Sequence, residues 1–544
     1  MHRVLLINEM ILSIARHVPS DKDLSTLARV CRSFSEPSLD VLWSILESIA
    51  PLLRCLPSDL VGATVEKGSA IYTLKRAFVV ADWNTLLKYA RRVVTIKAVA
   101  PIWWADVEGE RVQIGQKIEP EMLNVLSWAP VSRPFPKLRE LTWADPLVQK
   151  ALPFLRSLLG PSLIRLDVRT DDISLDAHLL SRVTLVKELC PSLRHFRWYS
   201  PGNGWHHPQV LRTFSNTICS WDGPKSVNCP ALDDAALQHL SGSPTLQSLQ
   251  THLGDHNPHG TQFVNPAFPA IDSFFLECSR GRSLTSIANF FKKMRTSPRS
   301  LTASGEHSEE RAIAELTKAL SNHCCTKSLA SLSLVERDDP SGQGSPQFIL
   351  TGAMIEPLFC FRNLISVDIH TDRSVLLDDN DLAGMASAWP KIQRLLINAC
   401  SGWRCRSRVT LHGLIELLGR LADLDRLAIA LDFETSPLTE VDLKAAADAS
   451  TPNNVRLGSG DFPLSLTDSR ISASNMVMVA ALLSDQFPNE GSVDAWSELE
   501  IWPDDESVQQ TRRWDQVWAM IRIMRQVRRQ EKARWTGNPQ LCGV

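Results

Sequence analysis

Pro191-Ser192-Leu193-Arg194-His195-Phe196-Arg197-Trp198 places one apolar residue, a second three positions later and a third two positions after that. In an extended chain Phe196 and Trp198 fall on one face, and His195 and Arg197 on the other. The spacing recurs along the chain. It is found in Pro136-Lys137-Leu138-Arg139-Glu140-Leu141-Thr142-Trp143, in Leu163-Ile164-Arg165-Leu166-Asp167-Val168 and in Pro244-Thr245-Leu246-Gln247-Ser248-Leu249. Pro269-Ala270-Ile271-Asp272-Ser273-Phe274-Phe275-Leu276 and Leu329-Ala330-Ser331-Leu332-Ser333-Leu334 continue it. So do Leu364-Ile365-Ser366-Val367-Asp368-Ile369, Pro390-Lys391-Ile392-Gln393-Arg394-Leu395-Leu396-Ile397 and Leu424-Asp425-Arg426-Leu427-Ala428-Ile429.

Leu138 to Leu163, Leu246 to Ile271 and Leu364 to Ile392 are separated by about 20–29 residues, the period of a repeat that contributes one short strand per unit. In the longer gaps, Ser226-Val227-Asn228 and Ser300-Leu301-Thr302 are the candidate strands. Amphipathic helices fall between the strands. Their stripes are Leu179, Val183, Val186 and Leu189; then Ile313, Leu316 and Leu320; then Leu411, Leu414, Ile415 and Leu418. The phrase resembles the L-x-x-L-x-L core of a leucine-rich repeat. The fold class read here is therefore α/β, with an irregular leucine-rich-repeat solenoid, a horseshoe, over residues 131–470. Each unit would bury its apolar face against its neighbours. The alternative is an α/β domain with a closed sheet.

The first fifty residues carry three short stripes. They are Ile7, Ile11, Ile14 and Val18; Leu24, Leu27, Ala28 and Cys31; and Leu39, Leu42, Trp43 and Leu46. Ser20 or Asp21 caps the second helix, and Ser35 with Pro37 marks the start of the third. Three such helices bury too little surface to stand alone, so the module must lean on a neighbour.

Val18-Pro19-Ser20-Asp21-Lys22-Asp23-Leu24-Ser25-Thr26-Leu27-Ala28-Arg29-Val30-Cys31-Arg32-Ser33-Phe34, followed by Leu42-Trp43, closely resembles the F-box, a three-helix family. The resemblance covers residues 4–46 and gives a module over residues 1–48. Where that family has a Leu-Pro pair, this chain has Leu6-Ile7. The resemblance implies docking onto a Skp-type adaptor, and through it onto a cullin–RING ubiquitin ligase. The contacts would be Leu6, Ile7, Leu24, Val30, Leu42 and Trp43. An F-box followed by such repeats also resembles a large group of fungal F-box proteins.

Residues 49–130 read as a linker and N-terminal repeat cap. Asp82 caps a helix carrying Leu86, Leu87 and Ala90, and Val93, Val94 and Ile96 form an early strand. Residues 254–270 and 336–347 read as loops. Residues 471–544 form a C-terminal helical cap, with Trp514, Val517, Ile521, Met524 and Val527 on one side of a basic amphipathic helix.

Composition narrows the function. The apolar (44%) and charged (22%) fractions are those of an ordinary globular chain. With 58 basic and 60 acidic residues, the chain has no excess positive charge for a nucleic-acid footprint or a polybasic membrane anchor. No apolar run reaches membrane-span length, and Asn8 and Glu9 interrupt the first apolar segment. The expected location is cytoplasmic or nuclear, with reduced thiols. His252, His256 and His259 lie among Gly254 and Pro258 and read as a surface loop rather than a zinc site. Cys324-Cys325 and the pair Cys400 and Cys405 lack metal-site partners. Asp378, Asp379 and Asp381 read as helix capping rather than a calcium loop. The run Arg522, Arg525, Arg528, Arg529, Lys532 and Arg534 reads as a solvated helix face. No catalytic set is found, and no cofactor or metal is expected.

The expected function is substrate recognition for an SCF-type ligase, without bond chemistry of its own. The alternative is a non-ligase leucine-rich-repeat interaction scaffold. The residues between the apolar positions would bind a protein target, acidic or phosphorylated. They are Arg165, Asp167, Arg169, His195, Arg197 and Tyr199, with Asp368, His370, Arg394, Asn398 and Asp432 further along.

Overall fold

Every occurrence of the recurring spacing leads into a strand. The computed structural model describes residues 7–66, 69–99, 103–107, 110–114, 116–144, 148–169, 177–199, 207–253, 263–278, 281–306, 309–337, 348–435, 464–486, 495–496 and 505–536. The chain is mixed α/β and divides into two units, residues 1–252 and 253–544.

In the first unit, the described ladder runs β1 (Ile45–Leu46), β2 (Thr95–Val99), β3 (Glu140–Ala144), β4 (Arg165–Arg169), β5 (His195–Tyr199), β6 (Ser226–Asn228) and β7 (Ser248–Leu253). Each ladder strand pairs in parallel with the next ladder strand along the chain, strands of smaller sheets intervening between β1 and β2 and between β2 and β3. In the second unit it runs β8 (Ser273–Cys278), β9 (Ser300–Glu306), β10 (Ser331–Arg337), β11 (Ser366–Thr371), β12 (Arg394–Ile397) and β13 (Arg426–Ala428). These too pair in order and in parallel. Both strands proposed for the long gaps are present, at β6 and β9.

The apolar positions explain the ladder. The first residue of each phrase precedes its strand and is buried, from Leu138, Leu163 and Leu193 through Leu329 and Leu364 to Leu424. Within the strands, alternate residues such as Leu166 and Val168, or Phe196 and Trp198, are buried under helices. The ring of Trp198 meets Phe214 of the Pro208–Cys219 helix, and Phe274 meets Phe290 and Phe291 of the Thr285–Lys292 helix. In β4 and β5 the residues between them are exposed or half-buried, whereas Asn228, Ser366 and Ala428 at such positions elsewhere are buried. Gly305 lets β9 approach the start of that second helix, because a Cβ there would lie 2.9 Å from the Leu284 amide nitrogen.

The ladder begins earlier than the phrase. Ile45 and Leu46 pair with Thr95 and Ile96, so residues assigned to the module and the linker already carry strands. Residues 49–130 also hold Val61–Glu66, Ser69–Leu74 and Gln116–Ile118 in one small sheet, and Trp103–Val107 with Glu110–Ile114 in another. The stripe from Leu179 to Leu189 is broken into Ala177–Val183 and Val186–Leu189 rather than forming one helix. Asp378 caps the helix Asp379–Ala388, accepting from the amides of Asn380 (2.9 Å) and Asp381 (3.0 Å).

In the second unit, Asp432–Phe433 pairs with Arg470–Ile471. The long helix Asp505–Thr536 lies against that pair. Gln510 accepts from the Ile471 amide (3.0 Å), and Arg513 donates to the Ile471 carbonyl (2.7 Å). Trp514, Val517 and Ile521 are buried, whereas Val527 is exposed, so only the first part of the apolar stripe is covered.

Candidate functional site

The N-terminal module consists of α1 (Asn8–Arg16), α2 (Asp21–Val30) and α3 (Arg32–Leu42). Ser20 caps α2, its Oγ accepting from the Asp23 amide (3.1 Å). Cys31 is extended and separates α2 from α3, so α3 starts before Ser35 and encloses Pro37. Ile11, Ala15 and Leu24 form the buried centre. Ile14, placed on the apolar stripe by its spacing, is exposed, because Ala15 rather than Ile14 turns inward.

The expected adaptor contacts are therefore divided. Ile7 and Val30 are exposed, at 47% and 65%, and Met10 and Ile14 beside them in sequence are exposed as well. Leu42 and Trp43 are half-buried, with the Trp43 ring 4.6 Å from that of Tyr89. Leu24 is 4% exposed and belongs to the module's own core, contrary to its expected contact role. Leu6 lies outside the described residues.

The module is fastened to the ladder of its own unit. The Ser44 carbonyl accepts from the amides of Val94 (2.8 Å) and Thr95 (2.9 Å). Buried Arg92 pairs with Glu36 on α3 (2.6 Å) and with Asp40. The Arg92 guanidinium holds the Glu36 carboxyl below its ordinary range. Asp82 caps the helix Val80–Ala90 from its third position, accepting from the Val79 amide (2.9 Å), and pairs with Arg76 (2.7 Å). Neither Arg92 nor Tyr89 was singled out from the sequence, since a lone Arg or Tyr carries no periodic signal.

The second candidate surface is the polar face of β4 and β5. Register sets Arg165 beside His195, Asp167 beside Arg197, and Arg169 beside Tyr199, as the alternation predicted. Asp167 then pairs with both Arg169 (3.3 Å) and Arg197 (3.6 Å) and neutralises part of the patch. His195 is half-buried. Burial first, then the charges of Arg165 and Lys225, hold its imidazole below the ordinary value.

In the second unit, Asp368 and His370 lie on β11, with Arg394 opposite Ser366 in register and donating to its hydroxyl (3.1 Å). Burial raises the Asp368 carboxyl, against the opposing pull of His370 and Arg394. Asn398 does not reach this face. It is fully buried at a backbone φ of 52°, accepting from the Thr371 amide (2.7 Å) and donating to the Gly402 carbonyl (3.0 Å). Asp432 stands on the separate strand pair, where it binds Arg406 (3.1 Å), the Glu434 amide (2.9 Å) and Thr435.

A buried polar cluster went unread in the sequence. Arg373 donates to Glu336, to the carbonyls of Glu309 and Glu310 (2.6 Å each), and lies 5.2 Å from the centre of the Phe348 ring. Thr371 donates to the same Glu336 carboxylate (2.8 Å).

Of the three histidines noted from the sequence, His252 is half-buried on β7, and His256 and His259 lie outside the described residues. Cys324 is buried and Cys325 exposed. Among the described residues, no helix is long and apolar enough to cross a membrane. No protein-family model matches the sequence, and no curated protein matches it.

Proposed function

We propose that this chain is the substrate-recognition subunit of an SCF-type cullin–RING ubiquitin ligase. In this reading α1–α3 are an F-box that docks a Skp-type adaptor, and the two ladders are leucine-rich repeats that present a protein target. The observation that carries the reading is the arrangement of the first unit. A small three-helix module keeps Ile7, Met10, Ile14 and Val30 exposed, and it continues directly into a ladder whose strands follow sequence order. Exposed aliphatic side chains on so small a module suit a protein partner. The strictly sequential order suits a repeat, because doubly wound sheets reverse direction at a switch point. The subunit performs no bond chemistry. It raises the effective concentration of a bound target at the transfer site.

The test is co-purification of the full chain with the adaptor. A stoichiometric complex that Val30→Glu abolishes supports the proposal; no complex at all overturns it. The second reading, an interaction scaffold that engages no ligase, is favoured by Leu6-Ile7 standing where the F-box has Leu-Pro. Target capture without adaptor binding would establish it.

A further inference from the structure

The basic surface of the first unit is displaced from where alternation within the strands puts it. Arg169 and Arg197 share Asp167 as an ion-pair partner. The residues that lead into the strands behave differently. The Ile164 amide donates to the Arg139 carbonyl, that of Arg194 to Ile164, and that of Lys225 to Arg194, each at 2.8 Å. These four residues therefore stand side by side along the N-terminal edge of β3–β6, about 4.8 Å apart. Arg139, Arg194 and Lys225 are all exposed. Arg165, exposed, and His195, half-buried, follow in the next row. Among the described residues, Arg139, Arg165 and Lys225 form no ion pair, and Arg194 makes only a long bond to the Gly223 carbonyl (3.4 Å). Glu140 is the acid in the same row as Arg165 and His195.

We propose that this edge of the ladder binds an extended acidic segment of a partner protein, with Arg139, Arg165, Arg194 and Lys225 pairing its carboxylates. The inference rests on the reading of the ladder as a target-binding surface and names the chemistry of the target. The ladder backbone fixes the spacing of the four cations, and guanidinium groups grip carboxylates through two parallel bonds. Net positive charge at an edge also steers an oppositely charged partner. A peptide fits better than a nucleic acid. Glu140 and Asp167 interrupt the patch. A continuous polyphosphate would have to lie over them, whereas an acidic peptide can place its carboxylates between them. Tyr199 is the exposed aromatic of β4 and β5, too few for base stacking.

The experiment uses the full chain and a fluorescein-labelled peptide of alternating glutamate and glycine, with labelled poly-uridine RNA as the second probe. Anisotropy is read at low and at physiological salt. Binding of the peptide, weakened by salt and at least tenfold weaker in the Arg165→Glu, Arg194→Glu, Lys225→Glu variant, supports the proposal. The variant pair Arg169→Glu, Arg197→Glu should change affinity far less. Equal losses in the two variants, no peptide binding, or tighter binding of the RNA would overturn it. The milder Gln variants of the same three residues, checked by circular dichroism, separate lost charge from lost fold. Adaptor co-purification of each variant shows whether the ligase reading stands independently of this site.

Discussion

Arg373 and Glu336 form a two-pronged ion pair, Nε to Oε2 at 2.5 Å and Nη2 to Oε1 at 2.9 Å, with neither side chain more than 1% exposed. Thr371 and the carbonyls of Glu309 and Glu310 complete the hydrogen bonding. The pair ties the end of β10 to the turn after β11. Removing one partner strands the other charge in the interior. Arg373→Ala should therefore cost about 3–5 kcal/mol. Replacing both, as Arg373→Met with Glu336→Leu, should recover most of that loss. Urea-unfolding midpoints decide it. A single variant as stable as the parent would show that the pair carries no stability.

Arg92 holds α3 against the ladder through Glu36 and Asp40. Arg92→Ala should release that tie and speed hydrogen exchange at the amides of Val94 and Thr95, which donate to Ser44. Acid should act in the same direction. The folded-state value of Glu36 is lowered by Arg92, so its contribution is present above the ordinary glutamate range and lost as pH falls through the lowered value. Exchange at Val94 that is insensitive to both changes would count against this tie.

Val30 and Trp43 separate docking from folding. Val30 is exposed, so Val30→Glu should leave the melting temperature within about 1 °C while abolishing adaptor binding, since surface changes are usually within ~0.5 kcal/mol. Trp43 packs on Tyr89. Trp43→Ala should lower both stability and adaptor affinity, the latter by ~2 kcal/mol or more if it is an interface anchor. Calorimetry of folding and of adaptor binding measures the two effects separately.

Asp468 is buried and accepts from the amides of Trp403 (2.7 Å) and Arg404 (2.8 Å). Burial pushes its carboxyl above the ordinary range despite these bonds. The folded chain thus keeps the proton to higher pH than the unfolded chain does, and this group's contribution to stability falls as pH rises through that window. Asp468→Asn should flatten the fall, seen in unfolding midpoints as pH rises above the ordinary aspartate range. Gly402, at a φ of 68°, abuts the same carboxylate, with a Cβ there 2.9 Å from its carbon. Gly402→Ala should cost more than about 1 kcal/mol.

The ladder strands that carry the recurring phrase were legible because each is marked by spacing within a few residues, whereas Ile45–Leu46, read as part of a helical stripe, was not. The buried leading residue and the alternating pair are local features, and even the degenerate copies at Ser226–Asn228 and Ser300–Glu306 were found by counting from their neighbours. Capping by Ser20 and Asp378 was legible for the same reason, since a cap and its amides lie within three residues. The small sheet of Val61–Glu66, Ser69–Leu74 and Gln116–Ile118 was not, because its third strand joins from more than forty residues away.

Sequence by itself determined where the recurring ladder strands extend and which of their side chains turn toward the helices, since those follow from a period of two residues, but not the small sheet of residues 61–118, the inward side of α1 or the break in the 179–189 stripe. It also placed Arg165, Asp167, Arg169, His195, Arg197 and Tyr199 on one face of two neighbouring strands. Tertiary structure alone decided which charges meet. It buried Leu24 and Asn398, joined Asp167 to both arginines, and brought Arg92 to Glu36 and Arg373 to Glu336. A periodic pattern assigns a residue to a face of its own element. The ion pairs and burial depths depend on distances between elements, which are fixed only when the helices and strands pack.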